Sequence, residues 1–324
     1  MKERFAKYAW FVLAYNIAVV LWGAFVRATG SGAGCGEHWP LCNGEVVPRA
    51  PKIATIIEFG HRITSGMVLV LVVLLVIFAY RTFPPRHVVR RTAALSLALT
   101  ISEALIGAAL VLLGHVATNT SVWRGATLSI HLVNTLVLLA SIALTAWFAT
   151  PKTSDGEPVE IAGRLRLALG IAAGGVLVVG ISGAIAALGD TLFASSSVSE
   201  GFRRDFSPSA HLFLRLRILH PVIAAGLAAY LLAIAFYAAV AKGASVVLKR
   251  LAFSLIGLTL LQVCLGLVNI MLLAPIPVQL LHLMVADLLW ITFILFSTEI
   301  LAPVGYSVPV RSLPRSAAGT LSPT

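Results

Sequence analysis

Eight runs of apolar residues, each long enough to cross a bilayer as a helix, govern what this chain can fold into. They fall at roughly 8–27, 55–80, 92–114, 124–149, 165–188, 213–241, 248–273 and 278–301. Within lipid the backbone must satisfy its own hydrogen bonds, so such runs read as helices. Composition agrees: 59% of the 324 residues are hydrophobic and 11% are charged, with a mean hydropathy of +0.95. A soluble globular chain is about a quarter charged. The expectation is an all-α membrane protein with eight transmembrane helices. No small-residue cleavage site interrupts the run from Tyr8, which reads as an uncleaved first span rather than a signal peptide.

The formal net charge is +11. In a soluble protein this would suggest nucleic acid. Here Lys and Arg flank the apolar runs, so they read as topology signals in contact with membrane lipid, and no nucleic-acid partner is expected. With the N-terminus inside, 15 of the 24 Lys and Arg fall on inner segments, and an even number of spans puts both termini in the cytoplasm. Two outer segments are long, 28–54 and 189–212. Residues 151–163 read as a cytoplasmic linker, and 303–324, rich in Pro, Ser and Gly, as a disordered tail. The lipid-facing apolar surface permits a homo-oligomer.

The two halves, 1–150 and 164–302, look related. His61 and His220 are 159 residues apart, as are Glu103 and Gln262, and Gly107 and Gly266. Gly23-Ala24 and Gly183-Ala184 match at an offset of 160, and His131 and His282 at 151. This predicts two pseudo-symmetric four-helix bundles, a fold that builds cofactor sites from facing side chains.

Of eight histidines, His61, His131, His220 and His282 lie inside spans, each a few residues into the second, fourth, sixth or eighth. All four spans run inward, so the imidazoles share a depth in the outer half of the bilayer, where ionisable groups are costly and usually functional. Neutral imidazole is a good axial ligand for haem iron. Two per half suit a haem better than zinc, which gathers three or four ligands. The plainer reading is a hydrogen bond to a neighbouring helix. Arg62, Arg124 and Arg217 stand near these histidines, as candidate contacts to haem propionates or as snorkelling side chains at helix ends.

The first outer segment holds Cys35 and Cys42, on the side where disulfides persist. They read as a disulfide, either a structural staple or a pair that exchanges electrons. Glu58 precedes His61 by three residues on the same helix face, where it could move a proton or steady a cation. Otherwise it is an i,i+4 ion pair with Arg62. Glu103 is a second candidate proton-handling group or a helix contact, and Cys264 reads as packing.

The string Gly23-Ala-Phe-Val-Arg-Ala-Thr-Gly-Ser-Gly, then Cys35, Trp39-Pro40 and Cys42, then Glu58-Phe-Gly-His61-Arg62, resembles the haem A synthase family. His131, His220 and His282 stand where that family's other histidines do, and the likeness runs over all eight spans. The resemblance implies an oxidoreductase of the cell membrane that converts the C8 methyl of haem O to a formyl group, with oxygen from water. The product is haem A for terminal haem-copper oxidases. It implies haem O between His61 and His131 in the first half, haem b between His220 and His282 in the second, and Glu58 as the catalytic carboxylate. A haem O synthase as supplier and oxidase assembly factors as partners are implied with it. Two departures stand out. Residues 189–212 lack the second cysteine pair of many bacterial members, and Gly36-Glu37-His38 replaces a stretch that often begins with proline.

Two other classes compete. A di-haem cytochrome b that only carries electrons also needs two histidine pairs, but leaves Glu58 and the cysteine loop unexplained. A transporter would show repeats and buried polar groups, yet more often with broken helices.

Overall fold

In a computed structural model, described for residues 1–151, 162–241 and 243–301, the eight apolar runs form eight long helices. In chain order the helices are α1 (Lys2–Ala28), α2 (Ile53–Thr82), α3 (Val88–Leu112), α4 (Val122–Ala149), α5 (Ala162–Leu192), the short α6 (Val198–Asp205), α7 (Leu212–Val240), α8 (Val246–Met271) and α9 (Ile276–Leu301). All but α6 are long and apolar enough to cross a membrane, and the chain is a multi-pass helical membrane protein. Most of the expected linker, and the expected tail, lie outside the described residues.

The helices overrun the apolar runs where polar residues still suit a helix. α1 begins at Lys2 because Glu3 and Lys7, one turn apart and 3.0 Å from each other, extend it beyond the hydrocarbon. α6 was read as part of a connecting segment. It is polar and amphipathic, and the Ser197 hydroxyl caps it by accepting from the Glu200 N–H. Pro221 sits inside α7 directly after His220 and removes the N–H that would have reached the Arg217 carbonyl.

Helices α1 to α4 close a ring, each packed on the next and α4 returning to α1; α5, α7, α8 and α9 close a second in the same order. This places α2 and α4 diagonally across the first ring, and α7 and α9 across the second. The rings meet through α4 and α9, flanked by α1 and α5, and α4 is the most buried span. Trp290 Nε1 donates to the Leu136 carbonyl at 2.7 Å and Trp147 Nε1 to Glu299 Oε1 at 3.0 Å across this seam. Gly125 lies against the Phe213 ring, and Gly180 against Leu132, the close approach that small residues allow between membrane helices.

The connections before α2, α4, α7 and α9 all lie at one end, that of the cysteine loop. The close-packed core lies toward the other end, around Val72, Leu75, Leu139, Ile142, Leu255 and Phe293. Dispersion and area burial thus concentrate in one half of the bundle. The other half mixes polar side chains and glycines with fewer buried apolar residues, among them Val26, Leu188, Phe213 and Leu214.

Candidate functional site

The four span histidines lie in that looser half. His61, His131, His220 and His282 each sit about two turns inside the cysteine-loop end of α2, α4, α7 and α9. His61 and His131 therefore project from diagonal helices of one ring, and His220 and His282 from diagonal helices of the other. Each pair is close enough to interact electrostatically.

Glycines shape both pairs alike. A Cβ on Gly23 would stand 2.9 Å from the His61 ring, and one on Gly183 would stand 3.0 Å from the His220 ring. On Gly266 it would stand 3.4 Å from His282. The Cε1 edges of the His61 and His220 rings press on Gly23 and Gly183, where a side chain would crowd them, and His282 stands in ordinary contact distance of Gly266. The Nδ1 atoms of His61 and His282 are buried without a hydrogen-bond partner. Paired imidazoles on diagonal helices, glycine-backed rings and free ring nitrogens fit a haem held across each ring.

The partners of the rings differ between halves. His220 Nδ1 is 2.9 Å from the Ser182 hydroxyl, and His282 Nε2 is 3.2 Å from the Gln262 amide. His131 Nδ1 lies 3.1 Å from Glu103 Oε1, within ion-pair distance but off hydrogen-bond alignment. Thr135 Oγ1 and Asn134 Nδ2 donate to the two oxygens of Glu103.

The cysteine loop is locked onto α2. Cys35 and Cys42 are joined and fully buried, with Cα atoms 4.4 Å apart. Gly34 runs so close to α2 that a Cβ would fall 2.3 Å from the Ala54 carbonyl oxygen. Its own carbonyl accepts from Thr55 Oγ1 at 2.7 Å. Glu58, just below, uses both oxygens: Oε2 accepts from the Cys35 N–H at 2.8 Å, and Oε1 from Arg62 Nη2 at 2.5 Å. Arg62 Nη1 donates to the His38 and Leu41 carbonyls, each at 2.7 Å. The ion pair is buried, with side-chain exposures of 13% and 5%, and it gains strength from that desolvation only because each remaining group is also satisfied.

Of the other arginines, Arg124 turns back to the Ala117 and Asn119 carbonyls, at 2.6 and 2.8 Å, and pins the turn between α3 and α4. Arg217 grips Asp205 with Nε and Nη2 and reaches Asp190 with Nη1 at 2.7 Å, fastening α6 over the second ring. Arg27 was unremarked in the sequence beyond its place in a string. It crosses the seam to the Ala187 carbonyl, Thr191 Oγ1 and Gln279 Oε1, at 2.9, 2.9 and 3.0 Å. Its partners lie more than 150 residues away, so no local pattern reveals it. Outside the spans, the half-buried Glu200 carboxyl is held below its ordinary value by hydrogen bonds from Ser196, with Arg204 and Arg203 adding to the effect. Cys264 is exposed rather than packed inside.

The chain is 46% identical over 303 residues to a Thermus thermophilus protein named "Protoheme IX farnesyltransferase", a match covering 92% of this chain and 49% of that protein. It is 40% identical over 143 residues to the "Heme A synthase" of Bacillus mycoides, covering 44% of this chain and 43% of the relative. The Bacillus cereus enzyme of that name is 39% identical over the same length and shares. The chain thus spans about half the length of the curated relatives it matches. The family model described as "Cytochrome oxidase assembly protein" matches residues 6–294, from the first membrane helix into the last. The chain belongs to this COX15-CtaA family, the family of the haem A synthases.

Proposed function

We propose that the chain is a haem A synthase, oxidising the C8 methyl of haem O to a formyl group and so making haem A for terminal haem-copper oxidases. One observation carries this reading: Glu58 and His61 lie a single turn apart on α2, with the carboxylate clamped between Arg62 and the Cys35 N–H beneath the disulfide loop. An electron carrier has no need of such a fixed carboxylate beside one of its four imidazoles.

In this reading residues 1–150 hold the substrate, its iron between His61 and His131. Residues 164–302 hold haem b between His220 and His282. Haem b, when bound, supplies reversible one-electron chemistry. Oxidation of the methyl takes oxygen from water and releases electrons and protons. Glu58 accepts a proton or steadies the electron-poor carbon, and Arg62 with the Cys35 N–H keeps it in place. Arg62, Arg124 and Arg217 remain the proposed propionate contacts. Each is already tied to protein carbonyls or carboxylates, so each would share its remaining donors.

The Thermus relative, of which this chain matches 49%, carries a farnesyltransferase name as a whole, which supports a haem O synthase as the supplier. Oxidase assembly factors would receive the product. The Lys and Arg distribution supports a cell-membrane protein with both termini cytoplasmic and the cysteine loop outside.

Expression with a haem O source, followed by chromatography and mass analysis of the extracted haems, tests the reading. Haem A is expected, and Glu58→Ala should retain haem b and yield none. Recovery of haem b alone from the unaltered protein would make it an electron carrier instead.

A further inference from the structure

The two histidine pairs occupy matching frames with different polar surroundings. On α3, Glu103 faces His131, with Oε1 3.1 Å from Nδ1. The carboxylate is built in rather than loosely placed. Thr135 and Asn134, one turn beyond His131 on α4, donate to its two oxygens. Asn134 is itself fixed, its Nδ2 donating to the Leu99 carbonyl at 3.0 Å and its Oδ1 accepting from Ser102. Among the described residues Glu103 has His131 as its one ion-pair partner, so no Arg or Lys neutralises it.

The second half lacks this arrangement. The position equivalent to Glu103 is Gln262, whose amide meets Nε2 of His282 while its own Oε1 is buried without a partner. Val285 and Ala286 stand where Asn134 and Thr135 would be. His220 has a hydroxyl partner, Ser182. Among the described residues, one ring of the four, that of His131, therefore has a carboxylate within ion-pair distance, although its Nδ1, like those of His61 and His282, lacks an aligned hydrogen bond.

A carboxylate behind the non-ligating nitrogen of a histidine fixes the tautomer, orients the ring and raises the basicity of the other nitrogen. A more basic axial ligand favours ferric over ferrous iron. We propose that Glu103 is the positioning residue of His131: it holds Nδ1, directs Nε2 into the first ring, and lowers the reduction potential of the haem held there relative to one with neutral partners. This rests on the reading of the first ring as a haem site. Oε1 stands 3.1 Å from Nδ1 but off hydrogen-bond alignment, so the ring would turn toward Glu103 as the bond forms.

The test uses the full chain reconstituted with protohaem IX and followed by potentiometric titration and ferric electron paramagnetic resonance. The first-ring signal is the one that His131→Ala removes and His282→Ala spares. Glu103→Gln should raise the midpoint of that signal and shift its resonance, by about tenfold in the ferric-to-ferrous ratio at fixed potential, the scale on which outer-shell partners act. The second-ring signal should not move. Thr135→Val keeps Glu103 but removes a competing donor from Oε1, so it should shift the same midpoint the opposite way. A purely structural role would not give opposite signs. An unchanged first-ring midpoint and resonance in Glu103→Gln, or, should that variant not fold, in Thr135→Val, overturns the proposal. If His131→Ala removes no haem signal at all, the haem-site reading of the first ring fails instead, and the proposal with it.

Discussion

Gly34 shows how much one hydrogen atom can decide. Its Cα lies against the backbone of α2, and the nearest atom a side chain would meet is the Ala54 carbonyl oxygen at 2.3 Å, which belongs to a helix and cannot yield. Gly34→Ala should lift the cysteine loop, pull the Cys35 N–H off Glu58 and cost about 1–3 kcal/mol, the usual penalty of overpacking. A lowered thermal midpoint in detergent checks this; an unchanged one would mean that the loop is not clamped there. Glu58 and Arg62 depend on each other in the same way. Arg62→Ala leaves a buried carboxylate with only the Cys35 N–H, and removing one partner of such a pair costs about 3–5 kcal/mol, here at the lower end because Arg62 keeps some exposure. The same thermal measurement applies, and conversion of haem O should fall with it. At the second ring, His220→Ala should abolish the haem b absorption while leaving the fold intact; an unaltered bound-haem spectrum would remove His220 from the ligand set.

At the scale of elements, hydropathy located all eight spans because a bilayer tests one property, apolar length, that a sequence displays directly. Ends were harder to place. Polar turns such as Glu3–Lys7 continue a helix without adding apolar length. α6 escaped because its eight mostly polar residues are too short and too hydrophilic to give a hydropathy signal, although the Ser197 cap and the Glu200–Arg204 spacing were there to be read. The i,i+4 pair of Glu58 and Arg62 was legible as one alternative, since its geometry is local. The further anchor of that carboxylate, the Cys35 N–H, comes from a loop 23 residues earlier and was not legible. The nearness of Arg124 to His131 in the sequence suggested a propionate contact or a snorkelling side chain, whereas the guanidinium reaches back to the Ala117 and Asn119 carbonyls. α6 hangs on the two-pronged grip of Arg217 on Asp205. Asp205→Asn should weaken it by about 1–3 kcal/mol. Limited proteolysis should then cut residues 193–211 faster than in the unaltered protein, with the membrane helices still protected.

For the whole molecule, the seam between rings is sealed at the cysteine-loop end by Arg27 and farther along by Trp290 and Trp147. Arg27→Ala removes three hydrogen bonds from a charged donor, each of the kind worth about 1.5–3 kcal/mol. The two rings should loosen against each other, seen as faster hydrogen exchange along α1, α5 and the start of α9; exchange confined to α1 would argue against a seam role. The rings also differ in what surrounds each histidine. His131 and His282 ride on the central helices α4 and α9, whereas α2, which carries His61, packs mainly on α1 and α3 and turns Ile56, Ile63, Met67 and Val70 outward. A single helix thickness therefore separates the space between His61 and His131 from the lipid. Under the proposed function, a greasy porphyrin bound for that space would have one rod to pass, so the rate of its entry would be set by a few side chains on α2 while the rest of the bundle stays shut.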